Sequence, residues 1–213
     1  MKFTKEMLRL YAVTDRAWTG KMTLIEQIEA ALSGGVTCLQ LREKNLSDKD
    51  FLAEAVEVKK LCEKYKVPLI INDNVKVAIE CNADGVHVGQ SDMAAGNVRE
   101  LIGKDKIIGV SVHDLAEASA AKAAGADYLG VGAMFPTATK NDATYVSYAT
   151  LQEIIETVKL PTVAIGGINM KNLHELANSG IDGVALVSAI FAAEDIKGEC
   201  EKLRAEVEKI AKK

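Results

Sequence analysis

The sequence has few of the residues that punctuate or cross-link a chain. Only three prolines occur among 213 residues, and no stretch is rich in glycine, proline or serine, which argues against a flexible linker or low-complexity segment. The four cysteines, Cys38, Cys62, Cys81 and Cys200, form no C-x-x-C pair, so neither a zinc site nor a redox motif is indicated. No apolar run is long enough to cross a bilayer. The stretch near Val184 to Ala193 is interrupted by Ser188 and falls far short of the ~20 residues required. Met1 to Leu10 lacks the apolar centre of a signal peptide. A concentrated basic face is missing too. Net charge is −4, and the C-terminal run from Glu199 to Lys213 mixes both signs at helical spacing, as a solvated helix face does. The expectation is a cytoplasmic protein with reduced thiols that partners neither nucleic acid nor membrane.

What the chain does have is a repeated alternation. With 48% apolar and 26% charged residues it is an ordinary globular composition, and its length suits one domain over residues 1–213. Short β-rich runs recur at Leu10 to Val13, Thr37 to Leu41, Leu69 to Ile71, Gly85 to Val88, Ile107 to Ser111, Tyr128 to Val131, Thr162 to Ile165 and Val184 to Val187. Helical patterns lie between them, such as Leu24, Ile28, Ala31 and Leu32. Phrases that end a helix and open a strand also recur: Gly34-Gly35-Val36, Ala83-Asp84-Gly85, Gly125-Ala126-Asp127 and Gly180-Ile181-Asp182-Gly183. Eight strand–helix units predict an α/β protein, a (β/α)8 TIM barrel. The runner-up, an open doubly wound sheet, would want G-x-G-x-x-G after the first strand, where this chain has Thr14-Asp15-Arg16.

Strand after strand begins apolar and ends polar, and barrels of this kind place their active site at that end. In the second strand, alternation sets Cys38, Gln40, Arg42 and Lys44 on one side and Leu39 and Leu41 on the helix side. An Arg fork and a Lys point charge suit phosphate oxygens, although Arg42 and Glu43 also fit ordinary exposed charges. Asp73 and Asp92 follow adjacent strands. They suit either Mg²⁺, usually held by one or two carboxylates, or the capping of the helices that follow. The polar segment from Ala133 to Asp142 reads as a lid or a plain surface loop. Gly166-Gly167 and Val187-Ser188 end strands seven and eight, where this fold commonly binds phosphate. His87, flanked by valines, reads as an interior histidine sooner than a catalytic one. His113 lies near the mouth, and His174 on a helical, surface-facing pattern.

Together these segments resemble the thiamine-phosphate synthase family. The motifs that carry the resemblance are Gln40-Leu41-Arg42-Glu43-Lys44, Ile71-Asn72-Asp73, the run Ala83 to Asp92, Phe135-Pro136-Thr137-Ala138-Thr139-Lys140 and Ile165-Gly166-Gly167-Ile168, in the family's order from Leu10 to Ile190. Relatives often carry Arg after the Asn-Asp pair, where this chain has Asn74.

The resemblance implies a transferase in thiamine biosynthesis. Two small phosphorylated substrates, an aminopyrimidine diphosphate and a thiazole phosphate, would be joined as diphosphate leaves. It implies that Gln40, Leu41, Arg42, Glu43, Lys44, Asn72, Ser111 and Lys140 meet the diphosphate substrate, with Arg42, Ser111 and Lys140 catalytic. It further implies that Asp73 and Asp92 hold Mg²⁺, and that Thr137, Ala138, Thr139, Gly167, Val187 and Ser188 meet the thiazole phosphate. The alternatives are a related thiazole tautomerase-like isomerase and a catalytically silent phosphate-binding barrel.

Overall fold

The computed structural model describes residues 2–89, 95–137 and 144–211. Eight parallel strands close into a barrel in chain order. They are β1 (Leu10–Val13), β2 (Cys38–Leu41), β3 (Leu69–Asn72), β4 (Gly85–Val88), β5 (Ile107–Val112), β6 (Tyr128–Val131), β7 (Thr162–Ile165) and β8 (Gly183–Leu186). β8 returns to pair with β1, Leu10 opposite Val184, and this closure excludes the open sheet. The strands fall within one residue of their expected ends. β3 and β5 run one residue further, and β8 starts and stops one residue earlier.

Helices α1 (Leu24–Ser33), α2 (Asp48–Tyr65), α3 (Val75–Glu80), α4 (Ala95–Ile102), α5 (Leu115–Ala123), α6 (Tyr148–Val158), α7 (Ser188–Phe191) and α8 (Ile196–Ile210) follow their strands. The unit after β7 departs from the pattern. There Leu173–Leu176 forms only a 3₁₀ turn, which carries the exposed His174. Helix starts are encoded locally. Thr23 and Glu26 form a reciprocal capping box on α1, and Ser47, Asp114, Ser147 and Asp195 cap α2, α5, α6 and α8.

Alternation along each strand divides the core in two. Leu10, Ala12, Leu39 and Leu41 face the helices, while Tyr11, Val13, Cys38, Ile70, Tyr128 and Val163 fill the barrel. Each fully buried leucine of the outer layer contributes about 1.5–3 kcal/mol.

The recurring helix-to-strand phrases do more than end helices. Gly125 does adopt the left-handed backbone, at φ +90°, that glycine accepts. The aspartates, however, reach across to the preceding strand. Asp84 Oδ2 accepts from Leu69 N–H at 2.9 Å, Asp127 Oδ2 from Ile108 N–H at 2.7 Å, and Asp182 Oδ2 from Thr162 N–H at 2.9 Å. Thr37 Oγ1 does the same for Leu10 N–H at 2.9 Å. One polar side chain before each even strand therefore clamps the start of the odd strand beside it. These clamps satisfy backbone donors at the end of the barrel remote from the mouth.

Candidate active site

The mouth is built from strand ends. Arg42, just past β2, is fixed twice: its N–H donates to Thr14 Oγ1 at 2.9 Å, and its Nη1 lies 3.2 Å from Asp15 Oδ2. Asp15 also accepts from Ala17 N–H at 2.9 Å, so the 3₁₀ turn after β1 aims the carboxylate that holds the Arg42 fork. Lys44 Nζ donates to Asp73 Oδ2 at 2.7 Å across the ends of β2 and β3.

Asp73 does not cap α3. Asn74 does, accepting from Val77 N–H at 2.9 Å, and its amide also donates to Asp48 at 3.0 Å. The residue that stands where relatives often have Arg thus ties α3 to α2. Asp73 itself has φ +61°, a left-handed backbone uncommon outside glycine, and its N–H donates to His87 O at 2.8 Å. A carboxylate held in that conformation and freed from capping is the kind of local strain that accompanies functional sites.

Other expected residues separate by placement. Gln40 and Ser111 line the interior, Gln40 only 4% exposed. Asn72 is half-buried at the end of β3. Leu41 is wholly buried towards the helices, so only its backbone can meet a ligand. Glu43 is not an ordinary exposed charge. Its side chain is 2% exposed, and it accepts from Arg16 Nε at 2.8 Å. His113 pairs locally with Glu117 in the first turn of α5, through Nδ1 at 2.9 Å. Asp92, Ala138, Thr139 and Lys140 lie outside the described residues.

Arg16 also pairs with Glu54 of α2, completing a cluster beneath the β2 loop. Oε1 of Glu43 and Oε1 of Glu54 are both buried without a hydrogen-bond partner among the described residues. Burial first, and the Glu43 carboxylate second, push the Glu54 carboxyl up to about 7, against the pull of Arg16. A proton on Glu54 supplies the hydrogen that two facing carboxylates lack. An unfolded chain releases that proton near 4.5, so from about pH 4.5 to 7 the unfolded state binds fewer protons. The stabilising contribution is complete below that window and lost as pH rises through it. Glu54→Gln should remove this slope. In denaturant titrations, the stability of wild type relative to the variant is expected to fall across that window. A pH-independent difference would reject the buried proton.

On the other side of the mouth, the loops after β6 and β7 are zipped together. Met134 N–H donates to Ile165 O and Phe135 N–H to Gly166 O, both at 3.0 Å. The side-chain amides of Asn169 and Asn172 donate to Gly167 O at 3.1 and 2.9 Å. Gly167 has φ +67°, and a Cβ there would strike the carbonyls of Phe135 and Pro136. This close backbone approach leads directly to Thr137. Val187 is half-buried, and the exposed Ser188 opens α7. That helix has only four residues, so its dipole adds little, and backbone N–H groups and the hydroxyl are the donors on offer.

The class defined so far is a (β/α)8 barrel with a cation-and-carboxylate cluster on β2 and β3 and a rim on β7 and β8 where Gly167 and Ser188 offer backbone and hydroxyl donors. Comparison with known proteins narrows it. Residues 10–190 match the family described as thiamine monophosphate synthase. A thiamine-phosphate synthase of Ruminiclostridium cellulolyticum is 52% identical over 91% of this chain and 92% of its own. One from Methanobrevibacter smithii is 50% identical over 92% and 93% of the two chains. A solved structure of the thiamine phosphate pyrophosphorylase of Pyrococcus furiosus superposes with a TM-score of 0.89 at 39% identity, covering 97% of this chain and 98% of that one. The chain belongs to the thiamine-phosphate synthase family.

Sequence reasoning missed the Asp15 brace on Arg42, the Arg16–Glu43–Glu54 cluster and the tyrosines beneath the mouth. Thr14-Asp15 after the first strand was a visible signal for the first. The others join residues far apart in sequence.

Proposed function

We propose that this chain transfers the pyrimidine-methyl group of an aminopyrimidine diphosphate to the nitrogen of a thiazole phosphate, forming thiamine phosphate and diphosphate. The observation that carries this reading is the division of the mouth into two unlike halves. One half gathers Arg42, Lys44 and Asp73, equipment for a diphosphate and a metal. The other offers Gly167, Thr137, Val187 and Ser188, backbone and hydroxyl donors suited to a monophosphate.

Asp73 suits Mg²⁺: it is a hard oxygen donor at a strand end, already compensated by the Lys44 ammonium. Asp92 would be the second carboxylate. Charge neutralisation on the leaving diphosphate is the chemistry a bound Mg²⁺ supplies. Arg42, Lys44 and Lys140 would bind the same oxygens. Positive charge developing on the pyrimidine methylene is delocalised by the ring's amino group, so the protein needs no nucleophile. Its residues hold the two rings in line and exclude water.

Incubation with both substrates should yield thiamine phosphate only when Mg²⁺ is present. Isomerisation of a thiazole without metal would favour the tautomerase-like reading, and no turnover at all would favour a silent barrel.

The division of labour has its own test. Gly167→Val is expected to weaken thiazole-phosphate binding at least about tenfold, because a side chain there displaces the loop leading to Thr137. Calorimetric affinity for an unreactive diphosphate analogue with Mg²⁺ should fall much less, because Arg42, Lys44 and Asp73 stand outside that loop and only Lys140 follows it. Selective loss of the diphosphate would reverse the assignment of the two halves.

A further inference from the structure

The turn after β7 is pinned by three successive carbonyls. Ile165 O and Gly166 O accept from Met134 N–H and Phe135 N–H, both at 3.0 Å. Gly167 O accepts from two side-chain amides, Asn169 Nδ2 at 3.1 Å and Asn172 Nδ2 at 2.9 Å. The far end of each amide fixes its orientation. Asn169 Oδ1 accepts from Lys171 N–H at 2.9 Å, and Asn172 Oδ1 accepts from Asn169 N–H at 2.8 Å. A backbone N–H only donates and a backbone carbonyl only accepts. Neither amide can therefore be turned over without losing both of its contacts.

A trans peptide is planar, with its N–H opposite its C=O. The held carbonyl of Gly166 thus sets the direction of the Gly167 N–H, and that of Gly167 sets the direction of the Ile168 N–H. Among the described residues nothing accepts a hydrogen bond from either N–H. Their neighbours differ. Asn169, Lys171, Asn172 and Leu173 donate within the turn, and Met170 is exposed to solvent. Ile168 is only 5% exposed, with its side chain packed in the outer layer of the core. A backbone donor in so buried a residue ordinarily has a partner. Successive N–H groups held in a turn also form a concavity suited to an anion.

We propose that Asn169 and Asn172 are positioning residues for the thiazole phosphate. By holding the Gly167 carbonyl on their own side, they turn the Ile168 N–H to the opposite side, where it donates to the phosphate beside the Gly167 N–H. Both asparagines act through the backbone. The anchor is doubled because one peptide plane in a glycine turn is otherwise free to rotate, and a donor fixed before the ligand arrives costs no ordering on binding. This inference rests on the proposed substrates, with the thiazole phosphate at Gly167.

Two measurements test it. In the full-length protein labelled with ¹⁵N-isoleucine, Ile168→Val identifies the Ile168 signal. The Ile168 amide proton should move downfield when the thiazole phosphate is added, and far less with the thiazole alcohol that lacks the phosphate. An unmoved signal would overturn the inference, whether or not the protein makes thiamine phosphate. Turnover is assayed separately, so the two failures are told apart. The second measurement is calorimetric. In an Asn169→Ala, Asn172→Ala double variant, affinity for the thiazole phosphate should fall about tenfold or more, the scale of one hydrogen bond to a charged group. Affinity for an unreactive diphosphate analogue with Mg²⁺ should fall much less. An unchanged thiazole-phosphate affinity in the folded variant, or an equal loss for both ligands, would also overturn it. Should the double variant not fold, Asn172→Ala keeps the Asn169 anchor and should show the same selective loss.

Discussion

Asp73→Ala is expected to lower turnover by about 10²-fold or more, the scale for removing one strong electrostatic group from a reacting centre. The expectation follows from where the carboxylate stands. It ends β3 with φ +61°, leaves capping to Asn74, and pairs with Lys44 at 2.7 Å. The Asp73 carboxylate leaves the helix start to Asn74 and to its own backbone carbonyl, which accepts from Val75 N–H at 3.1 Å. The variant should also need more Mg²⁺ for half-maximal rate, since one proposed ligand is lost. Thermal unfolding should change little, because the ion pair with Lys44 is largely exposed and such pairs add little stability. Steady-state rates across a Mg²⁺ titration measure both effects. Full activity with an unchanged Mg²⁺ dependence would remove Asp73 from the metal site.

Arg42→Ala is expected to cost about 10²–10³ in kcat/KM, and Arg42→Lys should restore only part of it. The guanidinium is not a loose surface charge. Thr14 fixes its backbone and Asp15 braces one of its nitrogens at 3.2 Å, while the side chain stays about one-quarter exposed at the mouth. A planar fork held on one side is well placed to engage diphosphate oxygens with its remaining donors. Lysine keeps the charge but not the fork. Comparison of kcat/KM for the three proteins decides the matter. An Arg42→Lys variant as active as wild type would show that charge alone matters, and an active Arg42→Ala would place the residue outside the reaction.

Most of the barrel was legible because its signals are local. β-rich runs of three to five residues, short connections and caps such as Thr23 with Glu26 act within one turn or one strand. Alternation correctly turned Gln40 inward and Leu41 towards the helices, and the same rule shows why Leu41 offers a ligand only its backbone. The 3₁₀ turn at Leu173–Leu176 was less legible, since its apolar spacing resembles that of a helix.

Long-range partners were not legible at all. Tyr11 meets Tyr128 across 117 residues, and no periodicity marks that pairing. Asp84, Asp127 and Asp182 stood in visible, recurring phrases, yet their clamps on neighbouring strands depend on barrel closure. Closure also decides Asp73. Local spacing permitted capping or metal binding equally, and only the fold shows the cap passing to Asn74. Glu43 is a similar case: a charge at a strand end became a buried carboxylate once Arg16 and Glu54 closed over it.

Two phosphorylated substrates are expected to react here with loss of diphosphate. Phosphorus NMR of the wild-type protein with Mg²⁺, the aminopyrimidine diphosphate and the thiazole phosphate tests it most directly. One equivalent of free diphosphate should appear for each equivalent of thiamine phosphate, with no inorganic monophosphate. Diphosphate released without thiamine phosphate, or a thiazole phosphate that changes while the diphosphate substrate stays intact, would contradict the account.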